Sequence, residues 1–262
     1  MAADKDEFVF SAVRKEIINE LLGRGERSDG RDLFEYRNIE IQKGVIENSE
    51  GSALAKIGKT KVLAAIKFDL STPYSDRPNE GTMISGAEFL QLAHPHFESG
   101  PPGEDAIELA RVVDRGIRSA EIIDFGSLFI EEGKVMTMFL DFYILDNFGN
   151  MLDTAGLAAA AALTDAKIPK VENGAIIRGE YSSDLKPKTL PVPTTFVKIG
   201  KHWILDPDVD EEKSADTRIT ITTTEQHVCS MQKGEGKLTR EELLNNINIS
   251  FNIGKDIRKM LF

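Results

Sequence analysis

Ten consecutive residues, Thr154-Ala-Gly-Leu-Ala-Ala-Ala-Ala-Ala-Leu163, constrain this chain more than any other segment. Alanine is the strongest helix former, so the run reads as a helix, with an end near Pro169. Its side chains are small enough for the helix to lie close against a sheet, which suits a densely packed interior. The strands for such a sheet are legible nearby. Apolar residues alternate at Ile39 and Ile41 and again at Ala53, Ala55 and Ile57, and Gly58-Lys59 turns the second of these strands into Val62–Phe68 as a hairpin. Another strand is expected at Val135–Leu145, where Val135, Phe139 and Tyr143 carry β character.

Two further helices flank these strands. Phe10, Val13, Ile17, Ile18, Leu21 and Leu22 fall at helical spacing between Glu7 and Leu22, and Gly23 ends the pattern. Gly23–Arg31 is a basic, glycine-containing connector. After the break Gly100-Pro-Pro-Gly103, a helix runs from about Asp105 to Ala120. Strands, helix, strand and helix in this order predict an α+β fold with antiparallel pairing. Pro187, Pro191 and Pro193 mark a linker, and the theme then recurs on a smaller scale: strands at Thr195–Ile199, Trp203–Leu205, Ile219–Thr224 and Val228–Gln232. Thr239-Arg-Glu-Glu242 is a capping-box signature opening a last helix, with Leu243, Leu244, Ile247 and Phe251 on its core side. The expected organisation is a helix and connector over 1–30, a first domain over 31–186 and a second over 187–262.

The 262 residues suffice for one or two compact domains, and 41% hydrophobic with 29% charged residues is an ordinary globular composition. The net charge of −11 excludes a generally basic, free-standing nucleic-acid binder, so any RNA contact must be local. A single cysteine, Cys229, leaves no internal disulfide framework. No window approaches the ~18 uninterrupted apolar residues of a membrane span. Met1-Ala-Ala-Asp-Lys-Asp carries acids where a signal peptide has an apolar run, and a cytoplasmic protein without membrane contact is expected.

The helix near 105–120 holds the most chemistry. At about 100° per residue, with Arg111 as origin, Arg115 falls near about 40° and Arg118 near about −20°, a single stripe. Leu109, Val113 and Ile117 occupy the opposite face, so core packing aims the guanidiniums outward. Guanidinium stays charged and binds phosphate oxygens in pairs, which makes the stripe a candidate phosphate track. The plainer alternative is a salt-bridged, solvated face, because Glu108 to Arg111, Arg111 to Asp114 and Asp114 to Arg118 have the spacing of helical ion pairs.

Other candidates are weaker. Gly58-Lys59-Thr60 resembles the end of a phosphate-binding loop, but Ala53 stands where that motif needs glycine. His94, His96 and Glu98 could share one side of an extended segment and hold a metal, against the simpler reading of surface histidines. Asp206, Asp208, Asp210, Glu211, Glu212 and Asp216 could hold Mg²⁺ or supply an acid, but are expected to be a solvated loop. A calcium loop is excluded by Glu211 in the place of the required glycine.

Arg27-Ser-Asp-Gly-Arg31, Gly51-Ser-Ala and Gly58-Lys-Thr-Lys-Val-Leu-Ala65 resemble the opening of the RNase PH family. Pro78-Asn-Glu-Gly81, Gly100–Gly103, Ala106–Arg118 and Leu152-Asp-Thr-Ala155 resemble, within it, the non-catalytic ring subunits of archaeal exosomes. The resemblance implies the RNase PH fold, a ribosomal-protein-S5-domain-2-like core plus a smaller C-terminal α/β domain. It also implies a hexameric ring, a trimer of heterodimers with a catalytic RNase PH-like subunit, that degrades single-stranded RNA from the 3′ end by phosphorolysis beneath a cap of RNA-binding subunits. Under this resemblance Arg111, Arg115 and Arg118 face RNA, and no catalytic residue, metal or cofactor is expected in this chain.

Departures from the active pattern support that expectation. The Gly-Gly-Thr-Arg-Thr phosphate turn of active members corresponds to Gly149-Asn-Met-Leu-Asp153, and their Arg-Arg-Ser to Gly103-Glu-Asp105. Their essential aspartate falls on Arg218, which holds its proton near neutrality, although a gap would bring Asp216 into that position. The alternatives are an autonomous phosphorolytic exoribonuclease using Asp216 and a metal-assisted hydrolase at His94, His96 and Glu98.

Overall fold

The computed structural model describes residues 2–261, with side chains described from Val13 to Leu261. Its first sheet holds β1 (Ile39–Lys43), β2 (Gly51–Ile57), β3 (Thr60–Ser71), β4 (Thr82–Phe89), the short β5 (Phe129–Glu131) and β6 (Lys134–Asp146). The order is β1-β2-β3-β6-β4, with β5 added to β6. The β2–β3 hairpin closes at Ile57 and Thr60 around Gly58-Lys59, as expected. Along the long β3–β6 ladder every second side chain is buried: Val62, Ala64, Ile66 and Phe68 from β3, and Met138, Leu140, Phe142 and Ile144 from β6.

That inner face is covered by α3 (Met151–Asp165), the alanine run, in which Leu152 to Leu163 are all buried. Beside it lies α2 (Glu104–Ser119), packed on β4, with Leu109, Val113 and Ile117 buried in the same core. The expected antiparallel pairing fails at one place: β4 runs parallel to β6, with Met83 opposite Met138. A parallel neighbour requires a long crossover, and α2 is that crossover.

The hairpin of β7 (Lys167–Glu172) and β8 (Ala175–Asp184) follows α3. Pro169 therefore lies within a strand and is not the end of the alanine helix, which stops at Asp165; the β7–β8 register slips on either side of Pro169 because proline has no N–H for the ladder.

The second sheet, in the order β10-β9-β11-β12, is antiparallel throughout: β9 (Val192–Ile199), β10 (His202–Leu205), β11 (Thr217–Thr223) and β12 (Val228–Lys233). Pro193, read as linker, is the second residue of β9. One face of this sheet offers Val197, Ile199 and Ile204 to Ile18 and Leu22 of α1 (Ala2–Gly23). The other offers Phe196, Leu205, Ile219 and Ile221 to α5 (Arg240–Leu261). Thr239 and Glu242 form the expected cap, each side chain accepting the other's backbone N–H.

Both terminal helices depart from their sequence pattern. Val13 and Ile17 of α1 are exposed, because the helix docks by the edge carrying Ile18 and Leu22; Phe10 lies outside the described side chains. In α5, Leu244 is exposed and the stripe turned inward is Asn246, Ser250, Gly254 and Arg258. The sheet supplies partners for two of them: Ser250 Oγ bonds Thr194 Oγ1 at 2.6 Å and Arg258 Nη1 donates to the Thr223 carbonyl at 2.9 Å, whereas the Asn246 amide is buried without a partner among the described residues.

Candidate nucleic-acid interface

Helix α2 is fixed by its ends and its buried face. Glu104 and Asp105 occupy the first turn and Arg118 the last, the charge order that favours the helix dipole. A Cβ on Gly116 would sit 3.1 Å from Thr222 Cγ2, so glycine lets α2 approach β11 and β12 closely. All three arginines of the stripe are exposed, and they differ in what holds them.

Arg118 is drawn back onto the protein. Its Nε donates to Asp114 Oδ2 at 2.7 Å, its Nη2 donates to the Met83 carbonyl, and its guanidinium lies 5.7 Å from the Phe125 ring centroid. Arg115 Nη1 donates to Gln232 Oε1 on β12 at 3.2 Å. Arg111 makes no ion pair or side-chain hydrogen bond among the described residues. Of the three helical ion pairs that the spacing allows, only Asp114–Arg118 forms. Glu108 turns to β11 and β12 instead, where its Oε1 accepts from Arg218 Nη2 at 2.8 Å and Gln232 Nε2 at 3.2 Å.

The acidic cluster corrects the expectation of a solvated loop. Asp206 is fully buried, with Arg31 Nη1 at 2.8 Å and Arg37 Nη2 at 2.7 Å. Burial alone would raise its pKa, but Arg37 and Asn150 prevail and hold the carboxyl below the usual range. Glu211 is buried against Arg27, whose Nε and Nη2 grip both oxygens at 2.8 and 2.5 Å. Asp208 caps the short α4 (Val209–Ser214). These acids have partners because Arg27, Arg31 and Arg37 arrive from the connector and the chain just after it. Asp210 and Asp216, by contrast, are exposed and pair with Arg14 and Lys15 of α1.

The turn Gly149–Asp153 is filled by the protein's own groups. The Asn150 backbone N–H donates to Glu212 Oε1 at 2.8 Å, and the Asn150 side chain donates to Asp206 Oδ1 at 2.7 Å and Asp153 Oδ2 at 2.8 Å. Asp153 also accepts from Tyr36 Oη at 2.6 Å and from the backbone N–H and hydroxyl of Thr195. Burial still raises the Asp153 pKa against these bonds, and pushes Glu212 up to about 7.

Of the two positions considered for the family's acid, Arg218 faces Glu108, whereas Asp216 is tied to Lys15 Nζ at 2.6 Å and to the Gly200 backbone N–H at 2.7 Å. Lys59 sits over the Phe148 ring, and Thr60 is buried with its hydroxyl donated to the Gly149 carbonyl, so this stretch is a hairpin turn with internal partners. The His94 and His96 rings lie 5.2 Å apart. Among the described residues no group of three or more His, Cys, Asp or Glu is arranged to hold a metal, and no helix is long and apolar enough to cross a membrane.

Residues 35–169 match the family model described as 3′ exoribonuclease family, domain 1, and residues 189–253 match domain 2 of that family. The chain belongs to the 3′ exoribonuclease, or RNase PH, family. This RNase PH-family chain is 46% identical to the exosome complex component Rrp42 of Thermococcus gammatolerans, over 97% of its own length and 96% of the relative's. A solved chain from the Archaeoglobus fulgidus exosome with RNA bound to the active site is 40% identical, with a TM-score of 0.88, covering 97% of this chain and 100% of that one. A chain of an archaeal exosome core gives 39% identity and a TM-score of 0.85, over 98% and 99%. The RNase PH fold expected from the sequence motifs is the fold observed.

Sequence reading missed Gln232, which links α2 to β12, and the partnership of Glu108 with Arg218. No local signal could have revealed them, because residues 108 and 218 lie 110 positions apart.

Proposed function

We propose that this chain is a non-catalytic, RNA-gripping component of an archaeal exosome. It joins a catalytic RNase PH-like subunit in a hexameric ring of three heterodimers, under RNA-binding cap subunits, in the cytoplasm. Similarity to archaeal exosome chains over nearly the whole length supports the assembly.

The observation that carries the non-catalytic reading is the turn at Gly149–Asp153. In the family pattern this turn contacts the attacking phosphate; here its Asn150 N–H is taken by the Glu212 carboxylate, and Asp153 fills the space behind it. An anion brought there would meet carboxylates in place of donors. Neither position considered for the acid offers a ready proton donor: Arg218 is paired with Glu108, and, against partial burial, Lys15 holds the Asp216 carboxyl below its usual range.

Arg111, Arg115 and Arg118 form the grip, with Arg111 and Arg115 the principal contacts. Backbone phosphate is the target, so binding should be weakly sequence-selective and sensitive to salt. Arg111→Glu and Arg115→Glu should leave ring assembly intact, weaken RNA binding, and each lower the salt slope by about 0.7, the value for one phosphate contact on a single strand. Unchanged affinity at low salt would return the stripe to a solvated face. The catalytic half is tested by incubating the purified chain with single-stranded RNA and orthophosphate: no nucleoside diphosphates should appear until the catalytic subunit is added. Release by the chain alone would overturn the reading.

A further inference from the structure

The stripe leaves one question open: Glu108 stands three residues before Arg111, at ion-pairing distance along a helix, yet the two do not meet. Two residues from the neighbouring sheet account for this. Arg218 Nη2 holds Glu108 Oε1 at 2.8 Å, and Gln232 Nε2 reaches the same oxygen at 3.2 Å. Gln232 is oriented by its two partners, since its amide nitrogen must face the carboxylate while its oxygen accepts from Arg115. Arg218 from β11, and Arg115 through Gln232 of β12, thus form a polar network that converges on Glu108. Arg218 makes this one ion pair among the described residues, and its Nε is buried without a partner, so Glu108 is also what anchors Arg218.

We propose that Arg218 and Gln232 are positioning residues that draw Glu108 away from Arg111, leaving that guanidinium free for a phosphate and steadying Arg115 beside it. This rests on the RNA-gripping reading of the stripe. Arg218 then has a task of its own, to neutralise the one carboxylate best placed to silence Arg111.

The test is a set of single and combined substitutions in the full chain assembled with its catalytic partner. A short fluorescein-labelled oligoadenylate at low ionic strength is the probe, and ring assembly is checked by size. A helical ion pair is worth at most about a two-fold factor, and loss of one positive charge adds a similar one, so Arg218→Met should weaken binding roughly four-fold. Glu108→Gln alone should tighten binding about two-fold through charge, yet about four-fold in the Arg218→Met background, where it also frees Arg111. Gln232→Met, a milder change to the sheet, should weaken binding in the same direction, again relieved by Glu108→Gln. A merely structural role would not give rescue that depends on removing Glu108. If Arg111→Ala weakens binding while the Arg218 and Glu108 effects are simply additive, the positioning role is wrong and the grip stands. If Arg111→Ala changes nothing, both fall.

Discussion

Glu212 offers a stability test that depends on one bond and one neighbourhood. Its carboxylate is half-buried, accepts the Asn150 N–H at 2.8 Å, and is pushed by burial from 4.5 to about 7, against the pull of that N–H, Arg218 and Arg37. A carboxyl whose pKa is higher folded than unfolded binds its proton more tightly in the native state. Its contribution is therefore complete below 4.5 and is lost as pH rises through about 7. At roughly 1.4 kcal/mol for each tenfold change in proton affinity, the rise sets a ceiling of ~3 kcal/mol. Partial access to water reduces this to roughly 1–2 kcal/mol. Glu212→Gln keeps an acceptor for Asn150 and removes the titration. Urea unfolding at about pH 5 and about pH 8 should then show the variant gaining on the parent by roughly 1–2 kcal/mol at the higher pH, all other titrating groups being shared. An equal difference between the two proteins at both values would refute the reasoning.

Two further substitutions test the packing. Arg27→Met strands the buried Glu211 carboxylate and removes the donors to the Leu205 and Asp206 carbonyls, so a loss of about 3–5 kcal/mol is expected in thermal or denaturant unfolding; a loss under about 1 kcal/mol would mean the pair is dispensable. Gly156→Ala would gain about 1 kcal/mol of helix propensity but drives a methyl group into the Pro193 ring, and a net loss of roughly 1–2 kcal/mol is expected, whereas a stabilised variant would show that α3 can move off β9.

The legible parts of the fold are those whose signal is local. The β2–β3 hairpin is written in two residues, the α5 cap in four, and α2 in an apolar face that recurs every turn. β4 was illegible because Thr82–Phe89 is an edge strand containing a glycine, and its partner β6 begins after the whole of α2. The acidic cluster was misread for a related reason: composition alone makes Asp206–Glu212 look solvated, and the arginine that buries Glu211 comes from 184 residues earlier. At the interface, helical angle gave the exposure of Arg111, Arg115 and Arg118 correctly. Which acid pairs with which arginine was decided by β11 and β12, which no helical wheel contains.

The arginines in and after the connector add charged ties between two sheets that already pack through α2 and α3. Arg27 and Arg31 leave α1 and grip the end of β10 and α4, while Arg37, at the entrance to the first sheet, shares Asp206 with Arg31 and reaches the Phe148 and Gly149 carbonyls beside α3. Pulling the halves apart would break the Arg37–Asp206, Asn150–Asp206 and Asn150–Glu212 bonds together. A single unfolding transition is therefore the expected outcome in calorimetry.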